Sequence, residues 1–498
     1  MSSERWACGV VVAACLVARA GASGQVAGGP VAGAADARTL TVGRAPAAMR
    51  ALEYQFAYRP IDEIDGDASS QWYQACVLHG TDDARSEAIS GWLARTPEEF
   101  DQDAAWGAVS GFIHDVYPLL RVAARKDRCD WGTPIRSESI GTMLPELAAL
   151  RDIARALALK ARIEMLNKDF ASATETLTIG LELASDLGDS PTLIQGLVGF
   201  SVATLMCEQL ERWVQTPGAP GLYWPLSRLE NPLVSLRRAY SFESSMLEFT
   251  FPDLARVQSG AISQEEAARL SAEVFSNLAE MGSENGAGPA AAGSAAGAGS
   301  AAGSPVSVAA DPRARASLIA GGMTAAEVDA LPGAYVTLRW QLENFQKYAD
   351  EVFKWSSLPY AEVEPSMMRV WPAMAAEMEG ARSEQPMLMV LPAINNTFVS
   401  SVMLERRIAL LRVIEALRQH ATASGAFPAS LAEIVDVPVP NDPVTGLAFE
   451  YRLDAGAAVL SGRAPKLAVV GGGGGRGGVE RRIVWDPAAV EVPKAKGD

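Results

Sequence analysis

The stretch from Met143 to Val214 constrains this chain most. In LPELAALRDIARALALKARIEML the apolar residues recur at every third or fourth position, the period of a helix with one buried face. Asn167-Lys168-Asp169 interrupts the run, and Phe170 to Leu187 resumes it. Gly188 stops that second helix, and Ser190-Pro191 opens a third that reaches about Val214. Amphipathic helices separated by such short breaks fold back on one another, as a hairpin followed by a third antiparallel helix. The expected fold class is mainly α, built from antiparallel helical hairpins, with a small C-terminal α+β module of antiparallel strands.

The rest of the chain divides around this block. Thr96 with Glu99, Ser263 with Glu266 and Thr324 with Glu327 have the spacing of capping boxes and mark helix starts. Helices are expected from Pro97 to about Ser110, from Ser263 to Met281, from Val336 to Trp355 and from Asn395 to His420. Residues 285–304, NGAGPAAAGSAAGAGSAAGS, carry no charge and no large apolar side chain. Such a tract cannot bury enough surface to offset its ordering entropy. As a flexible linker it would span about 25 Å; as an insertion looping out of one domain it would cost little. After Gly425 come Phe427-Pro428, a one-turn helix opened by Ser430 and Glu433, a Pro-Asn-Asp-Pro turn, and strand-like alternation in Phe449-x-Tyr451, AAVLSG, KLAVV and ERRIVW. The expected organisation is a signal peptide over 1–22, a disordered leader over 23–48, and a helical domain over 49–284. A disordered linker or insertion follows over 285–310, then a helical segment over 311–400 and the α+β module over 401–498.

The net charge of −16 argues against a nucleic-acid partner, which needs a basic surface for the phosphates. Trp6 to Ala18 is an apolar run after Arg5, too short to span a bilayer, followed by Ala20-Gly21-Ala22. That is the layout of a secretory signal, and it predicts a periplasmic or extracellular protein with no membrane span in the mature chain. A lipoprotein signal is the alternative, since Val12-Ala13-Ala14-Cys15 resembles a lipobox and would place a lipid on Cys15. Cleavage leaves Cys76, Cys129 and Cys207, an odd number. One bridge, Cys76 to Cys129, fits an oxidising compartment. Three buried free thiols are the plainer reading and the preferred one.

Chemistry-bearing motifs are sparse. The three histidines, His79, His114 and His420, have no zinc-ligand spacing, and G-x-S-x-G and S-x-x-K are absent. No metal site and no cofactor is expected. His114-Asp115 reads as a surface pair before it reads as a polarised base. Cys76 with His79 is a weak nucleophile pair. The acidic turn Asp62 to Asp67 has Ile61 and Trp72 where a calcium loop needs ligands. Tyr223, Trp224 and Tyr240 are the candidate binding residues, with core packing of a helical domain as the alternative.

Two resemblances extend this reading. LPELAALRDIARALALKARIEMLNKDF and QTPGAPGLYWPLSRLENPL, with RCDW at Arg128–Trp131 and KWSSLPY at Lys354–Tyr360, resemble a family of exported proteins of planctomycete bacteria. That resemblance implies export and no particular activity. The helix pair around Ala161, Phe170, Ala173, Gly180 and Leu181 resembles one tetratricopeptide-like unit. Gly425, Phe427, Pro428, Asp442, Pro443, Gly446 and Tyr451 sit where the major pseudopilin of type II secretion has its signature, so the C-terminal module is similar to the globular end of that family. Pseudopilins begin with the helix that here lies some 400 residues into the chain. Their calcium loop is replaced here by Asp454 and a Gly-rich tract, so calcium is not carried over. Together these features suggest a non-enzymatic interaction or scaffold protein of the cell envelope, with an unidentified protein partner there. A cell-envelope hydrolase using a carboxylate pair in the helical domain is the alternative.

Overall fold

The computed structural model describes residues 36–46, 50–138, 142, 144–259, 262–283, 310–381, 391–467 and 478–487. The signal over 1–22, Cys15, the linker tract over 286–304 and the glycine loop over 471–477 lie outside them. Most of KLAVV does too.

The chain is mainly helical. Its first strand, β1 (Asp36–Val42), lies in the segment expected as disordered leader, and that expectation is corrected. β2 (Ile64–Asp67) leads into α1 (Ser69–His79), α2 (Asp83–Ala94), α3 (Gln102–Asp115) and α4 (Tyr117–Ala123). β3 (Lys126–Arg128) pairs in parallel with β2, and α5 (Ile135–Glu138) follows. The helix expected from Pro97 begins later. Glu99 does reach back to Thr96, but Asp101 is the residue that caps α3, accepting from the Ala104 amide at 3.0 Å.

The block read from Met143 folds as α6 (Glu146–Leu166), α7 (Phe170–Gly188) and α8 (Leu193–Trp213). Asp169 and Thr192 cap α7 and α8 by accepting from Ser172 and Gln195. α7 and α8 touch closely: a Cβ built on Gly199 would stand 2.8 Å from the Ala184 carbonyl oxygen. α8 is long and apolar enough to cross a bilayer, but here it is packed against α7 and the long helix of the C-terminal half.

α9 (Tyr223–Ser227), α10 (Arg237–Thr250), α11 (Leu254–Gln258) and α12 (Gln264–Ser283) complete the first half. α13 (Pro312–Ala320), α14 (Ala325–Asp329) and α15 (Gly333–Phe353) begin the second, and α15 packs on α12 across the linker tract. The capping boxes at Ser263–Glu266 and Thr324–Glu327 both form. α16 (Tyr360–Ala381), a helix that the sequence reading did not mark, has Pro365 and Pro372 inside it. α17 (Leu391–Ser424) is the longest helix and ends at Gly425, whose φ of 86° supplies the left-handed C′ position.

After α17 a single 3-10 turn (Leu431–Glu433) replaces the expected one-turn helix. The capping box expected of Ser430 and Glu433 does not form: Ser430 makes no side-chain cap, and Glu433 accepts from the Ala429 amide at 3.0 Å instead of the Ser430 amide. β4 (Glu450–Asp454), β5 (Ala457–Gly462) and β6 (Val479–Trp485) form an antiparallel meander. Ala455 and Gly456 join β4 to β5, both at positive φ, the two-residue turn that matches strand twist. The fourth strand comes from the other end of the chain. β1 pairs in parallel with β6, Asp36 opposite Val479 and Val42 opposite Trp485, giving the order β1-β6-β5-β4.

Buried ion pairs fasten this sheet to the helices. Arg481 of β6 is almost wholly buried and reaches Asp36 at 2.9 Å and Glu211 of α8 at 3.2 Å. Burial pushes the Asp36 and Glu211 carboxyls up, yet the arginines around them, Arg481, Arg38 and Arg407, bring both below their ordinary values. On α17, Arg418 donates to the Gly43 and Ala219 carbonyls and pairs with Glu415. Leu40, Leu150, Leu210, Phe345, Leu417 and Ile483 belong to one contiguous buried cluster. The boundaries expected near 284, 311 and 401 therefore mark no break in the core.

Candidate functional site

The module signature residues hold the sheet against α17. Phe427 is buried edge-on to Trp485, and Pro428 presents its carbonyl to the Tyr451 hydroxyl at 2.6 Å. Asp442 receives Arg406 Nε and Nη2 at 2.9 and 2.7 Å, with both side chains out of solvent. The Val444 amide also donates to Asp442. Gly446 lies close enough to Ala361 that a Cβ there would stand 3.2 Å from the alanine methyl. These residues carry no free chemistry. Their effect is to fix the Asn441–Gly446 turn beside α16 and α17.

That turn is one wall of a cavity of about 690 Å³, within the range of ligand pockets. The loop after α9, the start of α16 and one face of α17 form the others. On α17 the facing residues are Ser401, Glu405, Ile408 and Arg412, spaced four, three and four apart on one stripe. Glu405 is half-buried and takes one hydrogen bond, from the Ser401 hydroxyl at 3.4 Å. Burial pushes its carboxyl up, since no cation approaches it among the described residues. Arg412 lies over the Tyr223 ring and donates weakly to its hydroxyl at 3.5 Å, while its Nε has no acceptor. On the α17 wall this cavity thus holds one carboxylate and one guanidinium, neither in an ion pair; Glu230 and Glu362 also line it, both exposed, and Asp442 lines it while paired with Arg406.

A second cavity, of about 320 Å³, opens beside α7. Glu63, Lys126, Asp127, Glu182, Arg228 and Glu230 line it. Burial, and then the nearby Asp186, push the Glu182 carboxyl up to about 8. Asp186 sits one helical turn on, behind the cavity wall. Burial raises it to about 7, although the Trp72 indole donates to it at 2.7 Å and the Cys129 thiol also bonds to it. Among the described residues no group of three or more such side chains is placed to hold a metal ion.

The aromatic candidates do not form a groove. Tyr223 is buried with its hydroxyl on the Pro438 carbonyl, Tyr240 stacks on Phe398 and bonds Thr397, and only Trp224 is exposed. Cys76 and Cys129 are free thiols, as is Cys207, so the bridge entertained for the first two is not formed. Burial raises Cys76 to about 12 and lowers His79 to about 4, the opposite of an activated thiolate and its base. His114 and Asp115 are an exposed surface pair.

Sequence reading missed Glu182, Asp186, Glu405 and Arg412. Each lies on a helix of ordinary amphipathic pattern; only the i, i+4 spacing of the acids and the i, i+7 spacing on α17 were visible in advance. No family model, curated protein or solved structure matches the chain.

Proposed function

We propose that this chain is an exported interaction or scaffold protein of the cell envelope, and that its contact site is the cavity between the helical body and the Asn441–Gly446 turn of the C-terminal module. The observation that carries the reading is the pair Glu405 and Arg412, two unpaired charges facing one cavity walled by four separate parts of the chain. Evolution of a plain core would remove or pair them. The secretory-type N-terminus and the resemblance to exported planctomycete proteins support the location. The order of helix, Phe-Pro, one turn, Asp-Pro turn and hairpin supports kinship of the module with pseudopilins. The α6–α7 pair supports a repeat-like origin for the helical body. Because α17 is packed along α8, this helix is not free to assemble into a filament as a pseudopilin helix does.

The test is site-specific photo-crosslinking in a producing cell. A crosslinking side chain at Asn231 or Asn441, on the cavity rim, should give a discrete adduct in the envelope fraction. The same side chain at Glu87, on exposed α2, should not. Equal adducts at all three positions, or none, would contradict the proposal.

Glu182 favours a second reading, the envelope hydrolase. A carboxyl that keeps its proton near neutral pH and faces a polar cavity can serve as a general acid. Release of soluble fragments from purified envelope material, lost in Glu182→Gln, would establish it. The same release from the Glu182→Gln variant would dismiss it.

A further inference from the structure

The charges in the junction cavity restrict what can occupy it. Glu405 and Arg412 stand seven residues apart on one face of α17, a rise of about 10.5 Å. Neither side chain is in an ion pair among the described residues, and the rise sets their backbones well apart along the helical wall of the same cavity. Between them the floor is apolar, formed by Leu404, Ile408 and Phe200. Glu230 and Glu362 on the rim are exposed and disfavour an anion. A simple cation would leave the Arg412 guanidinium unanswered in a partly desolvated site. A ligand that satisfies both ends carries an ammonium and a carboxylate about 10 Å apart, with apolar substance between. Three residues of extended peptide with free termini span about 10 Å.

The geometry points to a binding site for a short peptide with both termini free, its ammonium on Glu405 and its carboxylate on Arg412. The bidentate fork of Arg412 suits a carboxylate, and burial strengthens both charge-assisted bonds. Tyr223 would hold the guanidinium in place from beneath. This inference rests on the cavity being the contact site, as proposed above, and names its occupant.

Calorimetric titration of the full chain tests it, with the tripeptide Ala-Leu-Ala as probe beside its N-acetylated and C-amidated forms. The free tripeptide should bind saturably, and each block should weaken it by about tenfold or more. Glu405→Gln should weaken the free peptide and leave the acetylated one unchanged. Arg412→Gln should weaken the free peptide and leave the amidated one unchanged. Should Arg412→Gln fail to fold, the blocked peptides on the unaltered chain still decide the matter. Equal binding of free and doubly blocked peptide, or no saturation by about 10 mM, would overturn the inference. If the peptides fail while the rim crosslinks persist, only the occupant is wrong. If the peptides bind while the crosslinks fail, it is the envelope partner that falls.

Discussion

Truncating Asp442 to alanine should unfasten the sheet from α17. The Arg406 side chain is wholly out of solvent, and Asp442 is its carboxylate partner through two bonds of 2.9 and 2.7 Å. Arg406 also donates to the Arg463 carbonyl at 2.7 Å, so it cannot swing out to water without breaking a third bond. Asp442→Ala leaves a buried guanidinium without its carboxylate partner, which costs about 3–5 kcal/mol. The lost bond from the Val444 amide adds about 1 kcal/mol. Against a total stability of about 5–15 kcal/mol this is a large share. The double replacement Arg406→Met with Asp442→Leu removes both charges at similar volume, so it should recover most of the loss. Urea unfolding followed by far-ultraviolet circular dichroism measures both. The single variant should move the midpoint down strongly, and the double variant should return close to the parent. A cost below about 1 kcal/mol for Asp442→Ala would refute the reasoning, because a buried charge left unpaired cannot be that cheap.

Glu182 and Asp186 have folded pKa values raised above the unfolded ones, so the stability they allow is complete below about pH 4 and is lost as pH rises through about 7 and 8. Thermal melts at pH 5 and pH 8 should therefore show a fall in the parent that Glu182→Gln and Asp186→Asn make smaller; an unchanged fall would show that these acids are not buried as described. Gly199→Ala should cost about 1–3 kcal/mol, read as a lower melting temperature, because the new methyl meets the Ala184 backbone oxygen at 2.8 Å and neither helix can retreat without unpacking. A neutral or raised melting temperature would mean that α7 and α8 do not touch there.

Local signals carried much of this fold. The helices α6, α7 and α8 begin within a few residues of the breaks that mark them, because Asn167–Asp169 and Ser190–Thr192 are turn and cap chemistry whatever surrounds them. Strand β6 follows its alternation, with Val479, Arg481 and Ile483 on the buried side, whereas β5 is buried from Ala457 to Leu460 and β4 is mostly exposed. What escaped was non-local. DARTLTV has no turn partner nearby; its pairing strand lies more than four hundred residues on, so β1 acquires its hydrogen bonds only when the ends of the chain meet. α16 runs through Pro365 and Pro372, residues that ordinarily break a helix, and its first half is held by packing on the shared core. The site residues escaped for a related reason. A glutamate on an amphipathic helix looks the same whether solvent or another element faces it, and the perturbed state of Glu182 comes from elements that fold over it. The aromatic cluster misled because Tyr223 and Tyr240 are apolar mass with a polar tip, and both tips find partners inside the core.

Helical body and C-terminal sheet form one cooperative unit around a shared core, and the proposed binding cavity lies beside the Asn441–Gly446 turn that leads from α17 to the sheet. Hydrogen exchange at increasing denaturant tests it most directly. The amides of β1, β6 and α8 should open with one common free energy, since the buried Arg481 joins the three elements through Asp36 and Glu211. Sheet amides that open well before those of α8 would show a module folding on its own, and the cavity would then be a gap between two independent parts.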